Sequence, residues 1–171
     1  MQPMIFVDLD GVLVDLVKGL GNKIGKELTA ERSDEFLQEY KKFINSTSAW
    51  DLSQFYAKLP PTADCEKLWN AFKGYKPLIL SACSSKTPIV YGKELWCFTH
   101  LAIQSDRVFL TQKSFDKALY ASKKSLLIDD FDKNIEKFRE AGGMAIHHRN
   151  ADETIELFNK FIENNWIYPI N

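Results

Sequence analysis

The sequence predicts an α/β protein: a doubly wound parallel sheet with helices on both faces and a small helical insert after the first strand. Three observations predict it. The chain opens on a β-branched and aromatic run, Ile5-Phe6-Val7, that reads as a buried strand. From Lys76 onward, apolar strand-like runs alternate with helical patterns, the order that gives parallel strands joined by crossover helices. Between these parts, residues 15–75 are polar-rich and helix-patterned. The expected division is a core of residues 1–14 and 76–171 with a helical cap insert of residues 15–75.

Each element has its own warrant. In the insert, Phe36, Tyr40, Phe43 and Ile44 recur at helical spacing, and Pro60-Pro61-Thr62 ends one segment and opens the next. Ala63 to Gly74 carries acids early and Lys73 late, as the helix dipole favours. Pro77–Ala82 reads as a strand, and Pro88–Ile103 as a helix with proline in its first turn. Arg107–Thr111 is a short strand, Phe115–Ala121 a short helix, and Ser125–Asp129 a strand. Lys133–Ala141 is a helix closed by Gly142-Gly143, and Met144–His148 the last strand. Asn150, with Glu153 three residues on, marks a capped start for a final helix whose Ile155, Phe158, Phe161 and Ile162 share one face.

Composition narrows the class. At 171 residues, 45% hydrophobic and 26% charged, the chain is one domain with a real core. A net charge of −1 provides no general attraction to nucleic acid or an anionic membrane. No apolar run approaches the length of a membrane span, and no signal-peptide pattern opens the chain. Cys65, Cys83 and Cys97 are odd in number and lack metal-ligand spacing, which predicts free thiols in a cytoplasmic protein. His147-His148 has no third ligand at metal spacing, and Trp69 and Trp96 read as core.

The informative chemistry lies at two strand ends. The first strand runs into Asp8-Leu9-Asp10-Gly11, and a later one, Leu126-Leu127-Ile128, into Asp129-Asp130. Carboxylates at the end of an apolar strand are costly to desolvate unless a cation or a reaction uses them. In parallel sheets ligands sit outside the carboxyl ends of the strands, where Asp8, Asp10, Ser81, Asp129 and Asp130 all fall. Four carboxylates gathered there imply a magnesium site suited to phosphate chemistry. A calcium loop is excluded, because Leu9, Val12, Leu13 and Val14 offer no oxygen ligands from their side chains.

Asp8-Leu9-Asp10-Gly11-Val12, Ser81 after Leu78-Ile79-Leu80, a later lysine and Asp129-Asp130 together resemble the four motifs of the haloacid dehalogenase superfamily, in its phosphatase branch. The resemblance implies that Asp8 is the nucleophile and forms an aspartyl-phosphate, with Asp10 as acid and then base. It implies Mg2+ held by Asp8, the backbone carbonyl of Asp10, and Asp129, with Asp130 as a ligand or holding a ligating water. Ser81 and backbone N–H groups near it, Ala82 included, would hold phosphate oxygens. Lys117 best matches the register of the lysine motif, with Lys113 as its competitor and Lys123 and Lys124 nearby.

Within the superfamily the chain is most similar to the 5′(3′)-deoxyribonucleotidase group, through VDLDGVLVD, LLIDDFDKNIEKFREAGGMAIHH and the insert after the first strand. That likeness implies a small-molecule phosphomonoester substrate, a nucleoside monophosphate whose base stacks on cap aromatics. Phe43, Trp50, Phe55 and Tyr56 are candidates for the stacking face, and equally for the insert's own core. Asp15 and Lys18 are candidates for a substrate contact or a solvated helix face. The segment Ser81-Ala82-Cys83-Ser84-Ser85 departs from the group's pattern, which more often carries proline there. A polynucleotide 3′-phosphatase, another small phosphomonoesterase and a non-catalytic phosphate binder are the competing functions.

Overall fold

The computed structural model describes residues 3–83 and 87–164. Five strands form one sheet: β1 (Met4–Val7), β2 (Leu78–Ala82), β3 (Val108–Thr111), β4 (Ser125–Asp129) and β5 (Met144–His147). Their order is β3-β2-β1-β4-β5, and every neighbouring pair is parallel. The chain winds from β1 through β2 to β3 on one side, then crosses to β4 and β5 on the other. The strand order therefore reverses at β1, and the carboxyl ends of β1, β2 and β4 face the crevice where such sheets bind ligands.

Side chains alternate across the sheet, and each face has its own apolar cluster. Ile5, Val7, Ile79, Leu126 and Ile128 join the larger one. Phe6, Leu80 and Leu127 point the other way, onto Ile135 and Phe138. Phe6 packs edge-on against Phe109, Tyr120 and Phe138, at centroid distances of 6.3, 5.7 and 6.5 Å.

Four helices lie between β1 and β2: α1 (Leu16–Ile24), α2 (Asp34–Ser46), α3 (Ala49–Ala57) and α4 (Cys65–Phe72). Serines cap two of them, Ser33 accepting from the Phe36 N–H and Ser48 from the Asp51 N–H. The outgoing and returning chains are clipped together at a neck. Asp15 N donates to Pro60 O at 2.9 Å, Thr62 N to Leu13 O at 3.0 Å, and Thr62 Oγ1 to Val12 O at 2.8 Å. Helix α5 (Thr87–Leu101) packs closely on α3, where a Cβ on Gly92 would lie 2.6 Å from Ser53 O. Helices α6 (Asp132–Glu140) and α7 (Ala151–Glu163) complete the layers. Past the neck, α4 packs on α7, with the Phe72 and Phe158 rings 4.7 Å apart.

The expected elements are present with local shifts. The segment expected as a short helix at 115–121 is a 3-10 turn over Ser114–Tyr120. Helix α5 ends at Leu101 rather than Ile103, because Ala102 takes a left-handed φ of 54°. Asn150 caps α7 as its spacing predicts, accepting from the Glu153 N–H at 2.9 Å. Ser84 and Ser85 lie outside the described residues.

Candidate active site

Asp8 follows β1, and Asp129 ends β4, the strand paired beside it. Parallel register therefore delivers the two acids side by side, and Asp130 follows by one residue. Carboxylate oxygens of Asp8, Asp129 and Asp130 lie within 4.8 Å of one another. Asp129 is 0% exposed and Asp8 is 3% exposed. Three gathered acids demand compensation.

Part of it comes from Lys117, on the 3-10 turn before β4. This buried lysine donates to Asp129 Oδ2 and lies against Asp8 Oδ2, both at 2.6 Å. Burial disfavours the ammonium ion, but Asp8 and then Asp129 outweigh it and hold the lysine above its usual range. Asp129 also accepts from Phe131 N at 2.9 Å and from Asn134 Nδ2 at 3.0 Å. Asn134 is itself held by Ser114 Oγ at 2.7 Å. Burial, with Asp8 next, still pushes the Asp129 carboxyl up to about 6. Asp130 is raised by the same two causes in the same order. Lys113, the competing lysine, is exposed and sits over the Phe115 ring.

Asp10 is turned to a different cation. Lys93 of α5 donates to Asp10 Oδ2 at 2.6 Å, to Ser81 Oγ at 3.1 Å and to Ala82 O at 2.7 Å. Lys93 is 4% exposed, and Asp10 outweighs burial to raise its affinity for the proton. Its ammonium also stands 5.9 Å from the ring centroid of Tyr56, whose hydroxyl bonds that of Tyr40. Sequence reasoning missed Lys93. The available signal was its spacing with Ile89, Trp96 and Cys97, which places a lysine on the buried stripe of α5.

Gly11 makes room for the cluster. Its φ is +78°, and a Cβ there would lie 2.4 Å from Asp130 Oδ2. From the insert, Arg32 reaches Asp130 Oδ2 at 3.2 Å. Its neighbour Glu31 is pushed up to about 8 by burial and by Asp10. Neither residue stood out in the sequence.

The residues present fit a hard divalent cation. All three clustered side chains offer oxygen, and Asp130 Oδ1 is buried with no hydrogen-bond partner among the described residues. Asp10 Oδ1 is likewise unpartnered, although the Asp10 carboxylate stands outside the three-acid cluster. The aromatics between β1 and β2 are distributed otherwise. Phe43 is buried, with its ring 4.6 Å from that of Phe55. Trp50 is 71% exposed and borders a groove of about 670 Å³ with Asn22, Lys23, Gln54 and Lys58; none of the carboxylates Asp8, Asp10, Asp129 or Asp130 lines it. Asp15 caps α1 by accepting from Lys18 N at 2.9 Å.

His147 and His148 are held by protein groups. His147 bonds Asp130 O at 3.0 Å, and His148 bonds Thr154 Oγ1 at 2.9 Å. All three cysteines are buried, and among the described residues they form no disulfide. Among the described residues, no helix is long and apolar enough to cross a membrane.

No protein-family model and no curated protein sequence matches the chain. Solved structures do match across nearly its whole length. A haloacid dehalogenase (HAD) family hydrolase from Deinococcus radiodurans, with bound phosphate and sodium, superposes with a TM-score of 0.54 at 13% identity, covering 99% of each chain. A HAD phosphatase from Thermococcus onnurineus gives a TM-score of 0.53 at 14% identity over 95% of this chain and 98% of its own. A HAD family enzyme from Bacteroides thetaiotaomicron, in complex with magnesium and inorganic phosphate, gives 0.50 at 15% identity over 92% of this chain and all of its own. With its parallel sheet and its strand order reversing at β1, this chain has the α/β fold of the haloacid dehalogenase-type hydrolases.

Proposed function

We propose that the protein is a phosphomonoesterase that works through an aspartyl-phosphate on Asp8, with nucleoside monophosphates, deoxyribonucleotides foremost, as its substrates. One observation carries the reading: two acids a single residue apart hold different cations, Asp8 with Lys117 and Asp10 with Lys93. That division suits two carboxylates with two tasks. Bound Mg2+, held by Asp8, Asp129, Asp130 and the Asp10 backbone carbonyl, would supply positive charge against the phosphoryl oxygens.

In this reading Asp8 attacks phosphorus, forming an O–P bond as the bond to the leaving oxygen breaks. Asp10 donates its proton to that oxygen, and as carboxylate then takes a proton from the water that hydrolyses the aspartyl-phosphate. Lys117 offsets the mutual repulsion of Asp8, Asp129 and the phosphate. Ser81, the Ala82 backbone and Lys93 form the side that receives phosphate oxygens. The insert, residues 15–75, acts as the cap; its Tyr56 ring stands 5.9 Å from the Lys93 ammonium, and the Tyr56 hydroxyl bonds that of Tyr40.

The test is a panel of nucleoside 5′- and 3′-monophosphates, sugar phosphates and 3′-phosphorylated oligonucleotides, assayed with Mg2+ and with EDTA. Nucleotides turn over best, EDTA silences the reaction, and acid-quenched protein carries phosphate on Asp8. Asp8→Asn abolishes turnover, and Asp10→Asn lowers it by about 10²–10⁴. Preference for sugar phosphates would remove the nucleotide reading alone. Inertness toward every ester, or full activity in Asp8→Asn, would remove the mechanism.

A further inference from the structure

Arg32 is a third cation at the acid cluster, and the reaction scheme gives it no task. It lies in the loop between α1 and α2 and reaches 98 residues along the chain to donate from Nη1 to Asp130 Oδ2 at 3.2 Å. Its guanidinium carbon stands 4.0 Å from the centroid of the Phe131 ring. Its backbone takes a left-handed φ of 70°, a conformation in which the Cβ of a non-glycine residue crowds the following carbonyl. Glu31, beside it, is 3.8 Å from the guanidinium. The pair thus closes the loop over Asp130, and the contact that closes it is one a metal ligand would have to share.

Charge and lone pairs make this contact competitive. Asp130 gives Oδ2 to Arg32, while Oδ1 is buried without a partner among the described residues. A dication among Asp8, Asp129 and Asp130 would draw on the same carboxylate and repel the guanidinium beside it. We propose that Arg32 is a cation-displaceable latch: its bond to Asp130 holds segment 26–33 closed over the acid cluster, and a divalent cation bound by the three acids releases it. The inference rests on the reading of that cluster as a cation site, but not on the identity of the substrate. Because coupling is reciprocal, whatever the latch takes from cation affinity the cation takes from loop closure. The opened loop exposes the site for substrate only once the cation is in place.

The full-length chain is titrated calorimetrically with MgCl2 at constant ionic strength, as wild type, Arg32→Ala and Arg32→Lys. Hydrogen exchange of residues 26–33 is followed with and without Mg2+. Arg32→Ala binds Mg2+ more tightly by about fivefold or more, and Arg32→Lys, which keeps charge but not the planar fork, falls between. Mg2+ speeds exchange of 26–33 in the wild type and leaves it unchanged in Arg32→Ala, where it is already fast. Should Arg32→Ala fail to fold by circular dichroism, Arg32→Lys and the wild-type exchange carry the decision. Equal or weaker Mg2+ binding in the variants, or slower exchange of 26–33 on Mg2+ addition, overturns the latch and leaves the cation site standing. Absence of any Mg2+ binding to the wild type overturns both. Cation-linked opening in a protein inert toward every phosphomonoester would leave the latch intact and remove only the phosphatase reading.

Discussion

A buried lysine with three oxygen partners is an unusual residue, and Lys93 is the one that divides this site. It ties Asp10 to Ser81 and to the Ala82 carbonyl, so its removal strands a carboxylate in a mostly buried place. Lys93→Met is expected to cost about 3 kcal/mol in urea unfolding, and pairing it with Asp10→Asn should recover most of that loss. A loss in the double variant equal to the sum of the singles would show the two side chains to be independent. The cysteines make a contrasting case. Burial pushes Cys97 up to about 12 and Cys65 up to about 11, so neither is a thiolate near neutrality. Iodoacetamide at pH 7.5 should leave the native chain unmodified and label it fully in denaturant. Because the folded state keeps these protons while unfolded thiols release them, stability should fall as pH rises above about 9, toward 12.

At the scale of elements, the insert separates aromatic rings that pack from rings that do not. Phe43 of α2 meets Phe55 of α3 edge to face in the interior, whereas Trp50 on the same α3 projects outward. Phe43→Ala should therefore destabilise by about 3–5 kcal/mol through cavity formation. Trp50→Ala should change stability by about 0.5 kcal/mol or less. The same two variants test stacking: a base held on Trp50 would raise KM in Trp50→Ala, while the groove it borders, which Asp8, Asp10, Asp129 and Asp130 do not line, predicts an unchanged KM. The family likeness offered Phe43 and Trp50 alike as stacking candidates. Only the packing of α2 on α3 tells which ring is inside.

For the whole molecule, the acids are held at a point where β1 and β4 meet and where the insert returns through its neck. A cation bound there links both halves of the sheet to the folded state and must stabilise it by mass action. At about a hundredfold excess over Kd the gain is about 2.7 kcal/mol, a rise of roughly 5–10 °C in Tm for a chain of this size. Scanning calorimetry with Mg2+ should show that shift in the wild type and lose it in Asp129→Asn. An equal shift in both would place the ion elsewhere.

The order of amino acids by itself determined the alternating strands and helices, the acids at two strand ends and the helical stretch between the first two strands, because hydrophobic period and strand-terminal charge are local properties of the chain. Which lysine serves which acid was decided only by tertiary structure. Lys117 and Lys113 differ by four positions, yet one is buried between Asp8 and Asp129 and the other stands in solvent. Lys93 and Arg32 lie 83 and 98 residues from the acids they hold. No local pattern encodes such partners, since the register of parallel strands and the path of the insert set the distances between charges.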